Sequence, residues 1–199
     1  MSGIVGSKLN IRGSGLVGSL GTDGQILTSS GAGVSHVFED AAGGGGKIGQ
    51  VVSTTVTAGT ASSTSATYED MSGMTVDITP AASSSKIWVS FNINIGGQKG
   101  SSAKAQLVRD STAIAVGAAS GDNRVVCSVD LRNTDDQALM IERSMNYVDS
   151  PSTTSAVTYK LQWMETEGTT LYLNRSYQDT DQANFGRAAS TITALEVLA

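Results

Sequence analysis

The sequence predicts an all-β protein, an antiparallel β-sandwich or jelly roll that follows a glycine-rich N-terminal arm. From residue 48 onward, apolar residues recur with a period of two in short segments, as strands with one buried face require. Turn signals separate these segments at intervals of roughly 10–15 residues, a spacing typical of sandwiches. In addition, 14 of the 23 glycines lie at or before Gly49. We therefore expect two parts, an arm of residues 1–46 and a β head of residues 47–199.

The arm is too rich in glycine to form a core alone, because glycine loses much backbone entropy on folding and buries no side chain. Apolar pairs nevertheless recur in it between turn signals. Residues 21–24 and 30–33 read as turns, and residues 25–28 and 34–38 as two strands. This pattern predicts a small hairpin whose apolar side chains need a partner surface, with a floppy tether as the alternative. The four glycines of residues 43–46 predict a hinge.

The head contains eight or nine predicted strands, and the clearest is residues 86–95. Its apolar side chains Ile87, Val89, Phe91, Ile93 and Ile95 alternate with Trp88, Ser90, Asn92 and Asn94. Similar but shorter patterns predict the remaining strands over residues 48–56, 74–79, 103–110, 112–116, 124–132, 157–163, 169–174 and 191–198. The segments 103–110 and 112–116 should form a hairpin around Asp110 and Ser111.

Residues 137–148 are ambiguous. Asp135 and Asp136 could begin a helix, because acidic residues are typical of a first turn. Alternating apolar residues at 139, 141, 145 and 147 instead indicate a strand. Among so many strands, we favour the strand.

The composition argues against several classes of function. The net charge of −5 argues against a nucleic-acid binder, because such a protein would have a basic face. The start of the chain lacks a signal peptide's apolar stretch, and no run approaches the roughly 20 apolar residues of a membrane span. We therefore expect a protein made in the cytoplasm, without membrane insertion.

The residues that usually carry catalysis or bind metals are scarce. His36 is the only histidine, and a structural or exposed role in the arm is expected for it. Cys127 is the only cysteine and is expected to be a buried, inert thiol. One histidine and one cysteine exclude ordinary zinc sites. Residues 13–18 match G-x-G-x-x-G, but no helix can follow them, so no dinucleotide site is expected. We expect no enzyme, no catalytic residue and no cofactor.

One polar loop is a candidate for ligand recognition. Residues 177–186 combine acidic, amide and aromatic side chains, and the candidate contact residues are Tyr177, Asp179, Asp181, Asn184 and Phe185. The alternative is simply a long connection. Asp179 and Asp181, flanked by Gln178 and Gln182, could bind Ca²⁺, but the full set of spaced ligands is missing. A solvated loop without metal is therefore favoured.

Several segments resemble proteins of bacteriophage particles. Residues 18–33, GSLGTDGQILTSSGAG, followed by residues 34–38, look like the G-T-x-G-Q-V-L-T-S-x-G-x-G stretch of tail-fibre and other virion appendage proteins, particularly those of marine phages. Residues 78–89, 149–162 and 189–197 are similar to the jelly-roll heads of such proteins. The resemblance covers most of the chain in short pieces and carries over no catalytic residue.

The resemblance implies a virion protein, commonly trimeric, with a jelly-roll head on a slender attachment region. Glycine would let three arms approach a common axis, because it has no side chain to block the approach. We expect the apolar residues of the arm to form an oligomer or docking surface: Leu9, Ile11, Leu16, Val17, Leu20, Ile26, Leu27, Val37 and Phe38.

The expected protein is thus a non-enzymatic fibre or spike whose partners are its own copies, other capsid or tail proteins, and a host-surface glycan or protein. A capsid decoration or head-fibre role is nearly as well supported. The rival from the binding class is a free lectin-like module. The rival from the enzyme class is a polysaccharide depolymerase, which would need a pair of carboxylates in a cleft.

Overall fold

A computed structural model describes residues 10–11, 15–16, 25–28, 37–40, 47–121, 123–132 and 136–198. The chain divides into two compact units, Met1–Gly46 and Lys47–Ala199.

The first unit contains two short antiparallel strand pairs. Strand β1 (Asn10–Ile11) pairs with β2 (Gly15–Leu16), and β3 (Gln25–Thr28) pairs with β4 (Val37–Asp40), so that Leu27 lies opposite Phe38. The antiparallel pairing of the two predicted strands is confirmed, and residues 34–36 of the predicted second strand lie outside the described residues. The pair β1–β2 was not predicted, because two-residue strands leave no periodic pattern.

Several predictions for the arm lie outside the described residues. They concern Leu9, Val17, Leu20, His36, the turns at 21–24 and 30–33, and the hinge at 43–46. Of the remaining arm residues expected in a docking surface, Ile11, Leu16, Ile26, Leu27, Val37 and Phe38 lie in β1 to β4, and Phe38 is half-buried.

The second unit consists of strands and connections, with no helix among its described residues. The strands are β5 (Ile48–Val56), β6 (Ser62–Ser63), β7 (Glu69–Ile78), β8 (Lys86–Gly97), β9 (Ser102–Arg109), β10 (Thr112–Ile114), β11 (Val129–Arg132), β12 (Met140–Asp149), β13 (Val157–Glu165), β14 (Leu171–Leu173) and β15 (Ser190–Val197).

These strands form two antiparallel sheets. The first sheet has the order β5-β15-β8-β12. Beyond the end of β15, β14 pairs with the same edge of β8, and β6 pairs with β14. The other has the order β7-β13-β9, with β10 and β11 pairing successive parts of β9. The eight main strands are β5, β7, β8, β9, β11, β12, β13 and β15. Numbered one to eight along the chain, they stand in the order 1-8-3-6 in the first sheet and 2-7-4-5 in the second. This is the strand order of a jelly roll.

The core lies between the two sheets and follows the alternation seen in the sequence. The inward residues of the two central strands are almost fully buried: Ile87, Val89, Phe91, Ile93 and Ile95 on β8, and Val157, Tyr159, Leu161 and Trp163 on β13. Burying a large apolar side chain stabilises a fold by roughly 1.5–3 kcal/mol. The hydrophobic effect therefore fixes which face of each strand points inward.

The ambiguous segment is a strand, as favoured from sequence. All ten residues of β12 pair with β8, from Met140 opposite Gly96 to Asp149 opposite Ile87. Continuous pairing along β8 supplies partners for the backbone groups, which decides against a helix.

The strand predicted over residues 124–132 is wrong in its first half, because only Val129–Arg132 is a strand. The cause is the neighbouring hairpin, since β10 already pairs with Leu107, Val108 and Arg109 on the same edge of β9. Cys127 therefore precedes β11 and is half-buried, not mid-strand and fully buried. Burial raises the pKa of its thiol, which keeps the thiol protonated and unreactive near neutral pH.

Candidate recognition loop and buried polar clusters

The predicted recognition loop connects β14 to β15, and Asn174 fixes its base. Asn174 is fully buried with a left-handed backbone, at a φ of 64°. Its side-chain amide donates to the carbonyl oxygen of Val56 at 2.6 Å, and its Oδ1 accepts from the hydroxyl of Ser190 at 2.6 Å. A backbone bridge between Arg175 and Arg187 closes the loop above this point. The loop therefore starts and ends on a rigid base.

Arg175 joins this loop to the sheet. Its guanidinium carbon lies 3.6 Å from the centre of the Tyr172 ring, a cation–π geometry, and its Nε donates to the carbonyl oxygen of Gly59 at 2.9 Å. Tyr177 packs against the same Tyr172, with ring centroids 6.0 Å apart and planes inclined by 55°. Tyr177 is thus used in packing the loop.

Asp179 is neutralised by arginine. The guanidinium of Arg187 donates to both carboxylate oxygens of Asp179, through Nε at 3.1 Å and through a second, shorter contact from Nη2. Nη1 of Arg175 lies 3.7 Å from the same carboxylate. A carboxylate engaged by two guanidinium groups is a poor ligand for Ca²⁺. Within the described residues, no group of three or more His, Cys, Asp or Glu side chains could hold a metal ion.

A depression of 380 Å³ lies at the tip of this loop, lined by Asp179, Thr180, Asp181, Gln182, Phe185 and Arg187. Of the five residues predicted for recognition, it brings together Asp179, Asp181 and Phe185. Tyr177 and the exposed Asn184 do not line it. Arg187 could not be predicted from the sequence, because an arginine eight residues from its carboxylate partner shows no recognisable spacing.

The head also buries three carboxylates, and each holds the fold together. Asp149 accepts from Nη1 of Arg109 at 3.0 and 2.9 Å and from the hydroxyl of Tyr159 at 2.7 Å. The ion pair links the two sheets, because Asp149 ends β12 and Arg109 ends β9. Burial and then the hydrogen bond to Asp149 raise the pKa of Tyr159 far above its ordinary range.

Glu165 and Glu196 are each 1% exposed and are held by bonds from other segments. Glu165 accepts from the backbone N–H groups of Ser102, Glu167 and Thr169. Burial acts to raise the pKa of Glu165, but the backbone hydrogen bonds outweigh burial and hold this pKa below its ordinary value.

Glu196 accepts from the backbone N–H of Ala81 at 2.6 Å and from the side chain of Gln50 at 3.0 Å. Burial again acts to raise its pKa, and the hydrogen bonds together hold it below the ordinary value. The three buried carboxylates therefore have structural partners within the sandwich.

Comparisons with known proteins place the chain in no family. No protein-family profile matches it, and no curated protein matches it. Among solved structures, it is similar to a chain from "Structure of infectious bursal disease virus Gx strain", at 15% sequence identity and a TM-score of 0.36. The similarity covers 96% of this chain and 46% of the viral chain, so this chain spans less than half the length of that neighbour. A likeness at this TM-score carries no argument about function.

No helix in the described part of the chain is long and apolar enough to span a membrane.

Proposed function

We propose that this chain is a non-enzymatic structural protein of a bacteriophage particle. In this proposal it is a compact trimeric fibre or spike, whose arm docks on the virion and whose jelly-roll head projects outward for host attachment. The observation that carries the proposal is the jelly-roll strand order of the head, directly after an arm that resembles virion appendage segments. A capsid decoration or head-fibre role fits the same two features.

The buried polar groups support a structural role. Asp149, Glu165 and Glu196 are the acidic residues that burial could have prepared for acid–base chemistry. Each instead bonds to backbone or side-chain donors that close the sandwich or its loops. These bonds hold the strands and loops of the head together, as a structural role requires.

Locating the protein on particles tests the proposal. Phage particles from an infection that expresses the chain would be purified, and gold-labelled antibody against the head would be imaged by electron microscopy. Label at tail or capsid sites in stoichiometric amounts is expected, and its position separates the fibre from the decoration role. Absence of the chain from purified particles that are otherwise complete would contradict the proposal.

A free glycan-binding module is the second candidate, and the depression at the loop tip favours it. Acidic, amide and aromatic side chains line this depression, the kinds of group that hydrogen-bond and stack on sugars. The full chain would be applied to a glycan array beside the variant Asp181→Ala/Phe185→Ala, with Asp136→Ala as a control outside the loop. Binding that the double variant loses and the control keeps would place a glycan site here. Equal signals from all three would reject it.

A further inference from the structure

An apolar row crosses the outer face of the sheet β5-β15-β8-β12. Val51 pairs with Leu195, Leu195 with Trp88, and Trp88 with Val148, so the four residues stand side by side across four strands. Their strand neighbours point into the core, and these four point outward. Val51 and Val148, at the two ends, are 56% and 55% exposed, and Leu195 and Trp88 are half-buried. We call these four residues the outer apolar row.

The rest of this face is uncharged at its centre. Ile48 and Val197, paired with each other, extend the apolar surface on one side of the row. On the other side lie two rows of hydroxyl and amide side chains: Ser53, Thr193, Ser90 and Asn146, then Thr55, Thr191, Asn92 and Ser144. Lys86 and Glu142 flank the face. Nζ of Lys86 donates to the hydroxyl of Ser150, and Glu142 accepts from the side-chain amide of Asn92.

The outer face of the second sheet is built differently. Lys160 pairs with Asp70 at 2.8 Å, and Lys104 pairs with Asp130 at 2.8 Å. Such mixed charges are typical of a face in contact with water. A contiguous apolar surface with a polar surround instead marks an interaction site. The outer face of the second sheet therefore suits contact with water, whereas the face with the outer apolar row suits contact with another protein surface.

We propose that the face carrying the outer apolar row is the contact between copies of this chain. The inference rests on the self-association proposed above and names the surface that mediates it. A net charge of −5 makes copies repel one another, so a contact between them is least opposed where the surface carries no charge. Hydroxyl and amide groups both donate and accept hydrogen bonds, so surfaces from two copies can satisfy each other.

The size of the face suits such a contact. Four strands spaced by about 4.8 Å and nine residues along β8 give a face of roughly 19 by 28 Å, or about 500 Å². Two such surfaces bury on the order of 1,000 Å², the lower limit for a specific interface. The head alone should therefore associate weakly, and linkage to arms that also associate would strengthen the contact.

The test compares the full chain with two double variants. Val51→Glu/Val148→Glu places charges at both ends of the outer apolar row, on side chains exposed enough to leave the monomer folded. Val125→Glu/Leu139→Glu makes the same kind of change at exposed apolar residues outside this face. Sedimentation velocity over a wide range of concentration gives the mass, and urea unfolding verifies that each variant is folded.

A second readout locates the contact. Trp163 is 1% exposed, so acrylamide quenching reports mainly on the half-buried Trp88. Quenching of the wild type should fall as concentration rises, because association shields Trp88. The variant Trp88→Phe should remove this change.

We expect the wild type and the Val125/Leu139 variant to self-associate alike, and the Val51/Val148 variant to show a dissociation constant raised at least about 100-fold, since like charges across an interface cost several kcal/mol. If the wild type is a dimer that only Val51→Glu/Val148→Glu weakens, this result would support the face as the contact between copies and contradict the trimer. A trimer that stays intact in Val51→Glu/Val148→Glu would support the trimeric state and would show that this face is not the contact between copies. A wild type that stays monomeric with constant Trp88 quenching would overturn both and leave the face to a different partner.

Discussion

Glu165→Gln should destabilise the head by about 3 kcal/mol. The carboxylate lies at the end of β13, and it accepts the N–H groups of Ser102 at 3.0 Å, Glu167 at 2.9 Å and Thr169 at 2.8 Å. The glutamine amide keeps one acceptor oxygen. If that oxygen accepts from Glu167 and Thr169, the new NH₂ group faces the N–H of Ser102, and two donors then oppose each other in a buried site.

The magnitude follows from these bonds. A buried donor left without a partner costs about 1–3 kcal/mol, and hydrogen bonds to a charged acceptor are worth about 1 kcal/mol more than those to a neutral one. With the unpaired donor at the low end of its range, about 1 kcal/mol, and about 1 kcal/mol for each of the two weakened bonds, the loss is about 3 kcal/mol. For a head of this length, that loss lowers the melting temperature by roughly 6–12 °C.

The effect should depend on pH with a definite sign. The folded-state pKa of Glu165 lies below its ordinary value of 4.5. A carboxylate with a lowered folded-state pKa stabilises the fold above its unfolded-state pKa and loses that contribution as the pH falls through the folded-state value. The difference between wild type and Glu165→Gln should therefore be constant at neutral pH and shrink below pH 4.5.

Urea unfolding followed by the fluorescence of the buried Trp163 measures this difference at pH 7 and at decreasing pH. The control is Glu167→Gln, the same chemical change two residues away on an exposed side chain, which should shift stability by less than about 0.5 kcal/mol. The stabilising role of the Glu165 carboxylate would be contradicted if Glu165→Gln unfolded like this control, or if its deficit at pH 7 persisted unchanged in acid.

Three further substitutions probe the other buried groups by the same unfolding assay. Tyr159→Phe should cost about 2 kcal/mol, because Asp149 loses a hydroxyl donor but keeps its arginine. Asn174→Ala should cost about 3 kcal/mol, since it removes three side-chain hydrogen bonds, one of them long, and forces alanine into a left-handed backbone. Gly96→Ala should cost about 3 kcal/mol or more, because the new Cβ would overlap the carbonyl oxygen of Arg175.

Each of these has a matched control. Tyr147→Phe makes the same change on the facing sheet and should be nearly neutral. Asn174→Gly removes the bonds without the backbone strain, so it should recover part of the loss seen with alanine. In Gly117→Ala the added Cβ would meet the carbonyl oxygen of Cys127 at 3.9 Å, an ordinary van der Waals distance, so the change should be tolerated. Equal losses in any variant and its control would contradict the corresponding account.

Part of the candidate recognition loop could be predicted from the sequence and part could not. Its polar composition predicted a loop at residues 177–186, which lie between β14 and β15. Asp181 and Phe185, two of the predicted contact residues, line the depression. The packing of Tyr177 on Tyr172 and the capture of Asp179 by Arg187 were not predictable. Both contacts depend on how the loop folds back on itself, which local spacing does not encode.

The sequence by itself determined the strands and their faces. The alternation from Ile87 to Ile95 is a local property, because successive side chains of a strand point to opposite sides. Tertiary structure alone decided the strand order and the ends of some strands. Strand β11 (Val129–Arg132) is shorter than its pattern because β10 occupies the rest of the same edge of β9. The outer apolar row likewise depends on tertiary structure, because it forms only when four strands pair in the correct register. Its members include Val51 and Leu195, which are paired although they lie 144 positions apart in the chain.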